Sequence, residues 1–337
     1  MHFREAYPMR HWYRFTRLTI LLLPFSALFG LAVLLRRALY RSGVLRVERL
    51  PVPILIIGNL TVGGTGKTPL VLWTAECLRA SGRRPGIILR GYGGTSTAPR
   101  AISPNDDAHV AGDEALLLAR RSRCPVWTAR NRAAAGRALL QAHPECDVII
   151  SDDGLQHYRL ARDIEIAVED ERGHGNGFLL PAGPLREPAS RLVDATVVNS
   201  RGHGGSRPGT GPLFHMQLQA AGFENLHGHP VDIEHLRGKR LHALAGIGNP
   251  HRFFDLLHSL GLEFVPHPFR DHHAFTATDL HFPDSDAVLM TEKDAVKCGA
   301  LIDDSLRDKY VMLRVAASLD PAYADFLLKA LNGRQTA

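Results

Sequence analysis

The chain has 337 residues, 45% of them apolar and 22% charged, with a formal net charge of +6. That length holds two domains of ordinary size, and the composition excludes both a disordered chain and a multispanning membrane protein. Four scattered cysteines without a CxxC spacing and 18 histidines without an HExxH pair exclude a disulfide framework or zinc ribbon and fit a reducing compartment.

The first element is the uncharged run LTILLLPFSALFGLAVLL, Leu18 to Leu35. As a helix it measures about 27 Å, at the short edge of a bilayer span. Arg4, Arg10, Arg14 and Arg17 precede it, and Arg36, Arg37, Arg41, Arg46 and Arg49 follow. Arg36 and Arg37 stand where a secretory leader needs a small-residue cleavage site, which disfavours a leader. An all-round apolar helix between arginines is unusual as a core helix. The pattern predicts attachment to a membrane lipid surface, either as a short span or among anionic headgroups. The symmetric arginines give no orientation. No aromatic-interleaved basic stripe is present, so the positive balance reads as a lipid surface or a phosphorylated substrate and not as nucleic acid.

After Pro51, the β-rich Ile54–Ile57 leads into Gly58-Asn59-Leu60-Thr61-Val62-Gly63-Gly64-Thr65-Gly66-Lys67-Thr68 and then a helical stretch, Pro69–Ala80. Strand, glycine-rich turn and helix in that order are the context of a phosphate loop. The glycines let successive backbone N–H groups curl round an anion, and the helix N-terminus adds positive potential. Lys67 is placed to reach the β- and γ-phosphates, and Thr68 to offer its hydroxyl to Mg²⁺. Thr61 stands where the usual G-x-x-x-x-G-K-[ST] pattern has its first glycine, with Gly63 and Gly64 moving the flexibility inward.

Further strands are predicted at Gly86–Leu89, Val126–Ala129, Asp147–Ser151, Glu165–Val168 and Ala195–Asn199, with helices at Glu114–Arg121 and Asn131–Ala142. Ser200–Gly211 reads as a glycine-rich linker. Beyond it come Leu241–Ala245, a helix over Arg252–Leu260, Ala287–Thr291 and Tyr310–Val315. This alternation predicts a mostly parallel α/β sheet covered by helices, followed by a second, smaller α/β unit.

Several residues in this frame have two readings. Asp152 and Asp153 end an apolar strand, as solvated turn residues or as Mg²⁺ ligands. Asp113 opens a helix, as an N-cap or as a carboxylate that orients a hydroxyl, and the local pattern favours the cap. His272 and His273 read as a surface accident or as a histidine tuning a carboxylate. Thr291-Glu292-Lys293-Asp294 fits a nucleotide contact and a charged turn equally.

In order, the motifs resemble the tetraacyldisaccharide 4′-kinases of lipid A biosynthesis. The resemblance is carried by the apolar N-terminal segment, Pro51-Val52-Pro53, GNLTVGGTGKTP (Gly58–Pro69), RGYGG (Arg90–Gly94) and GDE (Gly112–Glu114). It continues through DDGLQHYRLARD (Asp152–Asp163), LPAGPLRE (Leu180–Glu187), AGIGNPHRFF (Ala245–Phe254), Asp271-His272 and TEKDAVKC (Thr291–Cys298). The resemblance implies transfer of the γ-phosphoryl of ATP to the 4′-hydroxyl of an acylated glucosamine disaccharide 1-phosphate, at the cytoplasmic face of a bacterial inner membrane. The fold implied is P-loop NTPase-like, with an anchoring segment 1–50, a kinase domain 51–222 and a smaller α/β domain 223–337.

The implied phosphate loop is Thr61 to Thr68, which makes Thr61 a family trait. The implied catalytic pair is Asp113 and His272, the latter brought in by domain closure. Mg²⁺ falls to Thr68 with Asp152 or Asp153, and Arg90 and Arg186 become candidates for the substrate's 1-phosphate or sugar. A membrane-tethered ATPase switch is the rival reading, and it needs no sugar cleft. A soluble kinase of a small metabolite conflicts with Leu18–Leu35.

Overall fold

The computed structural model describes residues 10–94, 98–200 and 211–333. Arg4 of the basic flank and residues 201–210 of the glycine-rich linker lie outside the described residues. The apolar segment forms α1 (Arg17–Arg41), opened by a capping box in which Thr16 and Thr19 each accept the other's backbone N–H. Then follow β1 (Ile54–Gly58), α2 (Lys67–Ala80), β2 (Pro85–Leu89), β3 (Arg100–Ala101), α3 (Ala108–Ala111), α4 (Asp113–Arg121) and β4 (Val126–Thr128). Next are α5 (Arg132–Ala142), β5 (Val148–Asp152), β6 (Ile164–Asp170), β7 (Ala195–Asn199), β8 (Leu213–Asn225) and β9 (Pro230–Val231). The chain ends with β10 (Leu241–Ala245), α6 (Pro250–Ser259), β11 (Phe264–Pro268), β12 (Ala287–Thr291), α7 (Glu292–Cys298), β13 (Tyr310–Leu319) and α8 (Pro321–Asn332). The long β8, the short β3, β9 and β11, and the helices α3, α7 and α8 are additions to the elements read from the sequence.

The chain divides into two compact units: Met1–Lys67, Asp153–Met216 and Leu319–Ala337 form one, and Thr68–Asp152 with Gln217–Ser318 the other. These units interleave along the chain, and segments 51–222 and 223–337 each contribute to both.

In the first unit β6 pairs in parallel with β1 (Leu55↔Ile164 to Gly58↔Ala167) and with β7 (Ile166↔Ala195 to Asp170↔Asn199). β1 and β7 are buried along their whole length. That burial explains their unbroken apolar composition, since parallel strands are covered on both faces. α1 packs against this unit with an inverted face. Its buried residues are Thr19, Ser26 and Gly30, whereas Leu21, Leu28, Leu31 and Leu35 are each more than half exposed. Ser26 donates to the Leu179 carbonyl at 2.8 Å, and a Cβ at Gly30 would come within 2.8 Å of Leu179 Cδ1. The end of α1 is fastened by Tyr158, whose ring lies 5.5 Å from the Arg36 guanidinium and 5.8 Å from the Tyr40 ring. Behind Tyr158, buried Arg191 pairs with buried Glu187 and, at 2.6 Å, with Glu165.

In the second unit β2 lies between β5 and β4, all parallel, with β3 antiparallel at the edge. β10 lies between β11 and β12, and β12 pairs with β13, again in parallel. Phe253, Phe254 and Leu257 of α6 pack with Leu241, Ala243, Leu289 and Val311 in one apolar core. Helices α4 and α7 pack on each other, which brings two distant motifs side by side.

Removing one partner of a buried ion pair strands the other charge. Glu187→Ala is therefore expected to lower the free energy of unfolding by about 3 kcal/mol, read as a reduced urea midpoint at unchanged slope. A midpoint within error of the parent's would show that the Arg191 knot carries no net stability.

Candidate active site

The phosphate loop leaves β1 and ends at Lys67, the first residue of α2. Thr61 pairs with Leu185 in an isolated antiparallel bridge, so the loop begins as extended backbone, where a side chain is tolerated and a glycine is not needed. The tight turn sits further on. Gly66 has φ +95°, and a Cβ there would stand 2.3 Å from Asn199 Nδ2. That amide donates to the Thr65 carbonyl at 3.0 Å. Arg172, clamped by Asp170 at 2.7 Å, donates to the Gly64 carbonyl at 2.8 Å. Gln156 donates to the Asn59 carbonyl at 3.1 Å. Three braces thus fix backbone carbonyls of the loop and its approach.

Lys67 Nζ lies 3.7 Å from Asp153 Oδ1, and Arg186 donates to both Asp153 carboxylate oxygens at 3.0 and 2.9 Å. Asp153 itself has φ +48°, a costly conformation for a residue with a Cβ. Asp152 closes β5 and is buried. Arg186, a candidate for the substrate phosphate, is paired with Asp153, whereas Arg90 is exposed in the loop after β2. The hydroxyl of Thr68 and the carboxylates of Asp152 and Asp153 are hard oxygen donors of the kind Mg²⁺ accepts. Among the described residues no cluster of three or more His, Cys, Asp or Glu is placed to hold a metal.

The second constellation lies wholly within the other unit. Gly112 is the N-cap residue of α4 with φ +84°, and a Cβ there would meet the Tyr92 carbonyl oxygen at 2.5 Å. Asp113 is therefore the first helical residue and not the cap, and only 6% of it is exposed. The Glu114 N–H donates to its Oδ1 at 2.9 Å, and His272 Nδ1–H donates to its Oδ2 at 3.1 Å. His272 adopts φ +57°, and its ring lies 4.9 Å from that of Tyr92. The expectation that domain closure delivers His272 to Asp113 is corrected here, because both residues belong to one unit and are already hydrogen-bonded.

Burial alone would push the Asp113 carboxyl up. The hydrogen bond from His272 and the charges of Lys293 and Lys297 outweigh it and hold the group below the usual carboxylate value. The hydrogen bond to Asp113 raises His272 above the ordinary histidine value, against desolvation and Lys293. A buried carboxylate kept ionised with an oriented imidazole is an arrangement that can accept a proton from a hydroxyl. Tyr92, Glu114, Asp271 and Lys293 lie in motifs quoted from the sequence without a role at this pair, and Arg172 and Asn199 carry no such signal. The motifs RGYGG and TEKD carried the only advance signal for Tyr92 and Lys293.

The pair also fixes a pH dependence. Asp113, with a lowered folded value, contributes stability above its unfolded value, lost as pH falls through the folded one. His272, with a raised value, contributes below its unfolded value, lost as pH rises through the folded one. The stability difference between the protein and Asp113→Asn is thus expected to be larger at pH 5.5 than at pH 8.5 by denaturant titration. In the same variant the His272 NMR midpoint should fall, and an unmoved midpoint would contradict the assigned bond.

The comparisons with known proteins agree with one another. The family model described as tetraacyldisaccharide-1-P 4′-kinase matches residues 18–332. A tetraacyldisaccharide 4′-kinase from Aromatoleum aromaticum is 49% identical over 324 residues, covering 94% of this chain and 95% of the relative. One from Azoarcus sp. is 53% identical over 283 residues, covering 83% of each. The solved structure of LpxK from Aquifex aeolicus in complex with ATP superposes with a TM-score of 0.80 at 29% identity, covering 93% of this chain and 99% of that one.

Proposed function

The chain belongs to the tetraacyldisaccharide-1-P 4′-kinase family, and we propose that it phosphorylates the 4′-hydroxyl of tetraacyldisaccharide 1-phosphate from ATP, with Asp113 as base. The observation that carries the residue assignment is the 3.1 Å hydrogen bond from His272 Nδ1–H to a buried, ionised Asp113. In this reading the sugar hydroxyl gives its proton to Asp113 as its oxygen bonds to the γ-phosphorus, and the bond to the β-phosphate oxygen breaks to release ADP. His272 holds the carboxylate in orientation and, carrying positive charge, keeps it ionised until the proton arrives. The N–H groups of Gly63 to Lys67 and the Lys67 ammonium hold the β- and γ-phosphates. Thr68, with Asp152 or Asp153, supplies oxygen donors suited to Mg²⁺, which when bound neutralises charge on those phosphates. Phosphoryl transfer asks the protein mainly for positioning and charge, so these few groups suffice.

The acceptor is a lipid, and the outward face of α1 supports residence at a lipid surface. Its 18-residue apolar window has mean hydropathy 2.5 and is only 17% buried. Because Ser26 and Gly30 fasten the middle of the helix to its own unit, we read α1 as lying in the interface, with its leucines toward the acyl chains and its arginines among headgroups. ATP as donor sets the reaction on the cytoplasmic face of the inner membrane.

Incubation with [γ-³²P]ATP and tetraacyldisaccharide 1-phosphate in detergent is expected to label the lipid. Asp113→Ala should reduce kcat by about 10²–10³-fold with little change in KM for ATP. Brisk ATP hydrolysis with no labelled lipid would sink the kinase reading. Replacing Leu21, Leu28 and Leu31 together by serine should release the protein from anionic vesicles in a flotation assay. It should also raise KM for the lipid while leaving KM for ATP unchanged, and full flotation of that variant would remove the helix from the docking role.

A further inference from the structure

The TEKD motif resolves into two parts with separate roles. Thr291 is the N-cap of α7. It accepts the Asp294 N–H at 3.1 Å and donates its own hydroxyl to the Asp294 carboxylate at 2.6 Å. Asp294, fully buried, also takes the Gly246 N–H at 3.1 Å and pairs with Lys297 at 2.8 Å. Those residues hold the β12–α7 turn together. Lys293 points elsewhere. Its Nζ donates to Glu114 Oε1 at 3.1 Å and to Asp271 Oδ1 at 3.4 Å, and lies 3.8 Å from Asp113 Oδ2.

We propose that Lys293 is a positioning residue for the Asp113–His272 pair, a single ammonium that ties the GDE turn, the Asp271–His272 turn and α7 into one rigid setting for the base. The proposal rests on the reading of Asp113 as base. Three carboxylates, Asp113, Glu114 and Asp271, converge on this one cation. The ammonium donates to Glu114 and Asp271, the chain neighbours of Asp113 and His272, and stands beside Asp113 as a counter-charge. Without it, Glu114 and Asp271 would face the buried Asp113 carboxylate with no cation between them. The backbone of His272, already at φ +57°, would lose the adjacent Asp271 anchor that holds it there.

The charged groups facing the pair come from each packed element. Asp113 and Glu114 belong to α4, Asp271 and His272 to the loop after β11, and Lys293 and Lys297 to α7. Desolvation works against charge on Lys293, but the three carboxylates outweigh it and raise its value above that of an ordinary lysine. The ammonium therefore persists through the working pH range. Lys293 and His272 both favour the ionised form of Asp113, so loss of Lys293 moves the carboxyl upward whether the charge or the geometry is lost first.

Lys293→Met, Lys293→Arg and the double variant Lys293→Met/Glu114→Gln test this. The double variant removes one stranded carboxylate along with the cation, which separates the effect from a folding failure. The carboxyl ¹³C titration of Asp113, assigned by its disappearance in Asp113→Asn, is expected to move up by about one unit in both Met variants, a tenfold fall in the acid dissociation constant. It should stay near the parent position in Lys293→Arg. The acid limb of the kcat profile should follow the same order, with KM for ATP unchanged. An unmoved Asp113 titration in both Met variants, or the same displacement in Lys293→Arg as in Lys293→Met, overturns the proposal. A displaced titration with an unmoved acid limb upholds Lys293 and instead removes Asp113 from its role as base.

Discussion

A carboxylate taken out of water has to be compensated by nearby donors and opposite charge, or it takes up a proton and ceases to be a base. The surroundings of Asp113 are organised by that requirement. One oxygen takes the Glu114 amide and the other the His272 imidazole, with Lys293 behind. Each partner arrives from a different stretch of chain, and each stretch is itself held by a backbone device. Gly112 gives the turn that sets Asp113 one position inside its helix, and a left-handed backbone at His272 aims its ring back toward α4. The packing of α4 on α7 supplies Lys293. Chemistry and fold are linked here through charge compensation.

The proposed phosphate loop is built differently, by side chains that hold its backbone carbonyls. Asn199, Arg172 and Gln156 donate to the Thr65, Gly64 and Asn59 carbonyls of the loop and its approach. Asp153, between Lys67 and Arg186, holds both cations in position and accounts for the salt-bridged setting of the loop lysine. Both unusual backbone conformations at site residues, Asp153 and His272, occur at carboxylate or imidazole groups whose direction matters. Strain of this kind persists where surrounding bonds over-determine it.

The apolar face of α1 is outward because its inward face is built for close approach. Gly30 lets the helix come against Leu179, and Ser26 adds a second hydrogen bond to the Leu179 carbonyl, which also accepts the Gly183 N–H. A helix packed by small and polar residues leaves Leu21, Leu28 and Leu31 facing outward, which is the face the proposed residence at a lipid surface would use. The arginines at its end are drawn partly inward, Arg36 onto Tyr158, so that part of the basic collar is a fastening to the protein body.

Much of this was legible in the sequence where structure depends on neighbours along the chain. The strand, glycine turn and helix around Lys67, the core strands at Ile54, Ile87, Val148 and Val197, and the apolar run of α1 follow from local periodicity, glycine conformation and helix composition. Those are properties of short segments, and they emerge whatever the rest of the chain does. The likeness to a kinase family implied a pairing of Asp113 with His272, where local pattern favoured a helix cap and an accident, and the two are hydrogen-bonded. What the tertiary structure decided was which atoms meet. It showed that Asp113 is not the cap, that His272 lies against it from 159 positions away, and that Lys293 gathers three carboxylates. It also showed that α1 turns its serine and glycine inward. Such contacts depend on packing between distant elements, where a side chain's partner is set by the arrangement of the backbones, a quantity no short stretch of sequence contains.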